Sequence, residues 1–225
     1  MTVKAKSLNT ETWYLDEAVV GPWIRSAHMG LRRKYQKGEF LYHQGEVSPL
    51  FFFVLEGRVQ VSIFREDGSE FVLEVMGRWA LCGEAAAFDQ LPRFSAAIAL
   101  EDAEVVVFDA NEMGAALAQN SELAVALLRI SAMKQRVLGG RLQCVASPRP
   151  EKRIFELLNR LSELYGTEVD GVIVIGIKLT HEQIAAMTGA TRVTVTRTLA
   201  RLKEERVLTI KNKQLHILDP GKLHI

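Results

Sequence analysis

The sequence holds only two cysteines, Cys82 and Cys144, in 225 residues. Two thiols are too few for a Cys-ligated iron–sulfur cluster or a structural zinc site within one chain, and both are read as reduced thiols. Histidine is scarce as well. His28 and His43 are the only ones before Thr180 and no His-x-His spacing occurs, so a cupin-like metal oxygenase, which needs converging His and carboxylate ligands inside a β-barrel, is disfavoured. No catalytic or metal-ligating set emerges, and an enzyme is not expected. No apolar run approaches a membrane span, and the opening MTVKAKSLNTET lacks the apolar core of a secretory signal. A cytoplasmic chain without a membrane partner is therefore expected. Net charge is also nearly absent, at +1, while 48% apolar and 24% charged residues suit a soluble globular chain of two domains rather than a disordered one.

The charge balance conceals an asymmetry. From Lys178 to the end there are nine basic residues against four acidic, so the rest is net acidic and positive charge gathers where phosphates would be met. Within this basic tail, THEQIAAMTGATRVTVTRTLARLK (Thr180 to Lys203) reads as two short helices. Thr180 with Gln183 three residues on is a capping box, Ile184 and Met187 share a face, and Gly189 can end the first helix in a left-handed conformation. Thr191 offers a second N-cap, and Val195, Leu199 and Leu202 give the second helix a buried stripe. Opposite stand Arg192, Val193, Thr196, Arg197 and Arg201. This pattern fits a helix-turn-helix whose second helix enters the major groove of double-stranded DNA; a solvated helical hairpin is the plainer alternative. Arg192 and Arg197 are the leading candidate contacts, to guanine or to phosphate, and Val193 can touch a thymine methyl. Val207 to Ile210, the turn Lys211-Asn212-Lys213 and Leu215 to Leu218 read as a hairpin wing.

From Leu31 to Asp109 short β runs are punctuated by glycine, which indicates an antiparallel barrel or roll. Glu66-Asp67-Gly68-Ser69 is the clearest hairpin turn. Gly83-Glu84, followed by three alanines, reads as a very short helix whose free N–H groups either meet a ligand or only turn a corner. Next comes a helix of about 27 residues from a Ser121 cap, roughly 40 Å long. Leu123, Ile130, Val137 and Cys144 recur at seven, with Ala126, Met133 and Gly140 between them, which fits a seam between two such helices and hence a homodimer. Packing on the roll is the alternative. Gly139-Gly140 is a weak spot that can act as a joint. Pro148-Arg149-Pro150 closes the helix. The expected fold class is α+β, with an effector-binding β-roll over 1–119, a dimerisation helix over 120–147 and a winged helix-turn-helix DNA-binding domain over 148–225.

The order of elements, together with KGEFLYHQGE, LFFFVLEGRVQV, Gly83-Glu84 and TGATRVTVTR (Thr188 to Arg197), resembles the cyclic-AMP receptor and FNR (CRP/FNR) family of bacterial transcription regulators. The VTVTR string and MGLRRKYQKGEFLYHQGE are most similar to its halorespiration branch, which senses chlorinated phenols. The resemblance implies a homodimer on a palindromic operator, an allosteric small-molecule effector in the roll, and contact with RNA polymerase. It places the effector near Gly83, Glu84, Arg93, Phe94, Ser95, Met133 and Leu138, and DNA on Thr191, Arg192, Val193, Thr196, Arg197 and Arg201. In the family's cyclic-AMP binders a GE pair contacts the ribose and an Arg-Ser pair holds the cyclic phosphate. Here Ser95 matches, but Phe94 takes the arginine position and Arg93 is displaced by one, which in a strand would turn it to the opposite face. The Thr-Ser pair that meets the purine is Leu138-Gly139. Cyclic AMP is therefore disfavoured against a more apolar, aromatic or anionic molecule, although a cyclic-nucleotide-responsive regulator stays open. So does a haem-based gas or redox sensor: Cys82 falls where carbon-monoxide-sensing members place an axial cysteine, yet Glu84 replaces their histidine. The cofactor is left unassigned.

Overall fold

A computed structural model describes residues 17–146, 149–212 and 214–223. The chain divides into two compact units, the first ending at Ala132 and the second resuming at Met133. That division falls inside one helix, α4 (Ser121–Ala146), which runs unbroken through Gly139-Gly140.

The first unit is a roll of two four-stranded antiparallel sheets. One has the order β1 (Leu31–Tyr35), β8 (Ala103–Asp109), β3 (Leu50–Glu56), β6 (Leu81–Cys82). The other has the order β2 (Phe40–Tyr42), β7 (Ala96–Ala99), β4 (Val59–Phe64), β5 (Glu70–Met76). The β4–β5 turn forms as its sequence requires: Gly68 takes φ 79° and Asp67 Oδ1 accepts from the Ser69 amide at 2.9 Å. Phe51, Phe53, Val105 and Phe108 are wholly buried in this core. The lead-in is a helix, α1 (Glu17–Arg25), that drives Trp23 into the same core, edge-on to Phe51 at 5.7 Å and to Phe108 at 5.5 Å. Burying such a ring stabilises by several kcal/mol, on the order of 3–5 by truncation. A short helix α2 (Glu84–Asp89) follows β6. α3 (Ala110–Gln119), which periodicity alone does not single out, starts on Asp109, whose carboxylate accepts from the Asn111 amide at 2.8 Å.

α4 corrects two expectations. Its cap is Asn120, not Ser121: Asn120 Oδ1 accepts from the Leu123 amide at 3.2 Å, and Ser121 is already helical. Leu123, Ile130 and Val137, expected along an intersubunit seam, are covered within the single chain, at 0%, 0% and 2% exposure. Residues with no surface left cannot bury more against a partner. Met133 is half-buried, and the Cys144 side chain lies outside the described residues. Among the described residues, the large apolar side chains that α4 exposes are Val125, Leu128 and Leu138.

In the second unit α5 (Pro150–Tyr165) buries Ile154, Phe155, Leu157, Leu158 and Leu161. A sheet of order β11 (Leu208–Lys211), β12 (Gln214–Ile217), β10 (Val172–Lys178), β9 (Gly166–Val169) contains the wing, β11–β12, and carries α6 (His181–Thr188) and α7 (Arg192–Glu204) between β10 and β11. Lys213 of the wing turn lies outside the described residues. No helix among the described residues is long and apolar enough to cross a membrane.

Candidate functional site

The helix pair forms for the reasons its sequence suggests. Thr180 Oγ1 accepts from the Gln183 amide at 3.1 Å while Gln183 Oε1 accepts from the Thr180 amide at 2.9 Å, so the capping box is reciprocal. Gly189 ends α6 at φ 61°. Thr191 then caps α7, accepting from the Thr194 amide at 3.2 Å. One face of α7 buries Val195, Thr198, Leu199 and Leu202; the other exposes Arg192, Val193, Thr196 and Arg197, with Val193 76% exposed. No acidic residue stands in the first turn of α7. The positive end of its dipole is therefore uncompensated and favours an anion. Arg192 and Arg197 have no ion pair or hydrogen bond among the described residues, so their forks are free to meet one.

Arg201 is differently placed. Its Nη1 lies 3.3 Å from Glu151 Oε2, its Nε 3.8 Å from Glu205 Oε1, and its guanidinium 5.8 Å from the centre of the Phe155 ring. The contacts with Glu151 and Phe155 tie α7 to α5. Arg153 ties α5 to the end of α6, donating to the Gly189 carbonyl at 3.0 Å. Thr196 also has a partner that no motif announces: His181 Nδ1 at 2.9 Å.

In the roll, the segment between α2 and β7 brings together most of the residues singled out there. Gly83, at φ 80°, turns β6 into α2, and Glu84, Arg93 and Ser95 are buried at 6%, 2% and 3% exposure. Phe94 points out, 59% exposed. The expectation that Arg93 faces away is thus overturned. Residues 91–95 are not a strand, so displacement by one along the chain does not flip the side chain, and Arg93 and Ser95 flank an outward Phe94. Arg93 donates to the Gly83 carbonyl at 3.0 Å and to the Leu50 carbonyl, and its guanidinium stacks on Tyr42 at 4.2 Å. Its Nε is buried and has no hydrogen-bond partner among the described residues. Tyr42, missed by motif reading although it stands within KGEFLYHQGE, is the floor of the site. Burial, reinforced by the charges of Cys82 and Glu84, pushes its phenol well above the ordinary range, against the opposing hydrogen bond from Ser95 and the charge of Arg93. Cys82 is buried at 1% exposure. Met133 and Leu138 fall on the part of α4 that belongs to the other unit, Leu138 43% exposed. Among the described residues no group of three or more His, Cys, Asp or Glu is arranged to hold a metal ion.

Both halves match known domain families. Residues 32–120 match the cyclic nucleotide-binding domain, and residues 152–224 match the Crp-like helix-turn-helix domain. The chain belongs to the CRP/FNR family. Among the relatives of this CRP/FNR protein, a CRP-like cAMP-activated global transcriptional regulator of Mycobacterium tuberculosis is 27% identical over 84% of each chain. The anaerobic regulatory protein of Bacillus subtilis is 27% identical over 80% of this chain and 76% of its own. Among solved structures, CprK complexed with OCPA is 25% identical over 88% of this chain and 92% of that one, with a TM-score of 0.69. A CRP/FNR-family transcriptional regulator of Thermus thermophilus is 26% identical over 86% and 96%, also with a TM-score of 0.69. This protein is accordingly a transcription regulator of that family, with an effector-binding domain followed by a DNA-binding domain.

Proposed function

We propose that this CRP/FNR regulator works as a homodimer on a palindromic operator, and that an anionic effector other than cyclic AMP, held by Arg93 and Ser95, shifts its affinity for DNA. The observation that carries the reading is Arg93 itself. Among the described residues this buried guanidinium is held by two carbonyls and a ring and by no ion pair, an arrangement in a low-dielectric site that favours an anion. The M. tuberculosis relative is named as cAMP-activated, but here the position that resembles the family's phosphate-binding arginine is Phe94, which points out. An acid with an apolar body suits these residues better.

In the reading proposed here, α7 enters the major groove with Arg192, Val193, Thr196 and Arg197 foremost and Thr191 at its cap, and the dimer seam uses the exposed side of α4: Val125, Leu128, Ala132 and Gly139. Those four recur at three, four and seven residues, the spacing of a close helix–helix contact. The effector acts by binding better to the dimer arrangement that fits both half-sites. Duplex DNA, the effector, a second copy and RNA polymerase are the partners of this scheme.

The test is isothermal titration of the purified protein with cyclic AMP and a panel of aromatic carboxylates, followed by operator binding at saturating ligand. A carboxylate that binds, loses at least about tenfold on Arg93→Gln and changes operator affinity supports the reading. The reading is wrong if cyclic AMP alone binds and activates, or if Arg93→Gln leaves every affinity unchanged.

A further inference from the structure

The reading face of α7 carries a hydroxyl whose hydrogen bond is unusual for a helical threonine. Such a side chain commonly returns its proton to a carbonyl one turn back, as Thr188 does to Ile184 at 2.8 Å. The other hydroxyls near this face are occupied locally or buried: Thr191 and Thr194 bond to each other at 2.9 Å, and Thr198 is 1% exposed. Thr196, exposed between Val193 and Arg197, instead faces His181 Nδ1 at 2.9 Å, across from the first residue of α6.

From this we infer that His181 is a specificity-determining positioning residue, fixing whether Thr196 presents a hydrogen-bond donor or an acceptor to the operator. The inference rests on the proposed reading of α7 as the helix in the groove. An imidazole nitrogen that carries a lone pair takes the Thr196 proton. The hydroxyl oxygen then shows only lone pairs to the duplex and selects an exocyclic amino group, on adenine or cytosine. A nitrogen that carries a proton donates to Oγ1, which frees the hydroxyl proton for guanine O6 or N7, adenine N7 or thymine O4. A threonine without this partner can return its proton to the Arg192 carbonyl one turn back or turn it toward the duplex, and so accepts either class of base edge. His181 therefore makes an ambiguous hydroxyl into a directional one, without touching the base.

The experiment is selection of binding sites from randomised duplexes with the full-length protein, its His181→Ala, His181→Asn and Thr196→Val variants, and the double variant His181→Ala/Thr196→Val, each checked for an unchanged melting profile. The wild type should discriminate at one base pair by at least about fivefold, the lower end of what a mismatched pair costs. Thr196→Val and His181→Ala should each flatten that same position to within about twofold and leave the others intact. The double variant should lose nothing further, because the two side chains act as one unit. His181→Asn, whose amide can stand in for Nδ1, should restore a preference at that position. The proposal is overturned if His181→Ala lowers affinity equally for all sequences and reduces the salt slope by about one, the mark of a phosphate contact. It is equally overturned if His181→Ala and Thr196→Val alter different positions. A wild type that selects no sequence at all would instead remove the reading of α7 on which the inference stands.

Discussion

Replacing Gly83 by alanine tests the architecture of the effector site most directly, because a matched control exists in the same roll. Gly83 and Gly68 have nearly the same dihedral, φ 80° and 79°. Either alanine therefore carries the left-handed penalty of about 1–2 kcal/mol. The surroundings differ. A Cβ at Gly68 meets nothing within 4 Å, whereas one at Gly83 lies 2.6 Å from Arg93 Nη1 and 3.1 Å from Tyr42 Cε1. Arg93 must then give up the Gly83 carbonyl, and a hydrogen bond from a charged donor contributes about 1.5–3 kcal/mol. Gly83→Ala should thus destabilise the roll by about 3–5 kcal/mol in all, against about 1–2 for Gly68→Ala. Of the three tryptophans, Trp23 and Trp79 belong to the roll unit, so in a Trp13→Phe background intrinsic fluorescence follows its unfolding. With a urea dependence of about 2 kcal/mol per molar, the midpoint should fall by roughly 0.5–1 M at Gly68 and roughly 1.5–2.5 M at Gly83. Equal shifts would refute the reasoning. They would mean that Arg93 yields without loss and is not held by the contacts described.

Other consequences can be checked separately. Arg192→Ala and Arg197→Ala should each weaken operator binding by about 1–3 kcal/mol if the contact is to a base, or lower the salt slope by about one if it is to a phosphate; anisotropy titrations at several salt concentrations decide. Arg201→Ala, which removes the ties to Glu151 and Phe155, should lower the unfolding temperature while leaving that slope unchanged. Thr191→Ala removes the cap of α7 and should cost about 1 kcal/mol in calorimetry. The buried Tyr42 phenol keeps its proton where an unfolded chain loses one, so its contribution is full below the ordinary tyrosine pKa of about 10 and declines above it. Melting temperature should accordingly drop progressively as pH rises past about 10, and Tyr42→Phe should flatten that drop.

The DNA-reading module was legible because its signals are local. A capping box, a left-handed glycine and a second threonine cap specify their helices within a few residues, and an apolar stripe specifies which side of α7 is left for solvent. The roll was legible as a class from its short runs and turns. Most of what escaped sequence reading depended on partners far along the chain. Arg93 was assigned an outward direction from strand alternation, yet the irregular segment 91–95 obeys no alternation, and its inward turn is set by carbonyls at Leu50 and Gly83. Recurrence at seven found a real stripe in Leu123, Ile130 and Val137, but periodicity cannot say whether the chain itself or a second copy covers it. Asn120 and Ser121 are both good caps in adjacent positions, and only the bond to the Leu123 amide separates them. Arg201 has the composition of a groove-facing residue, and its tie to α5 depends on Glu151, fifty positions earlier.

That tie has a mechanical meaning. Arg153 reaches from α5 to the end of α6, and Arg201 reaches back from α7 to the start of α5, so the three rods are cross-braced by charge as well as by their shared oil-filled centre. On that account a displacement of the start of α5 should carry α6 and α7 with it, rather than be taken up by sliding among the three helices.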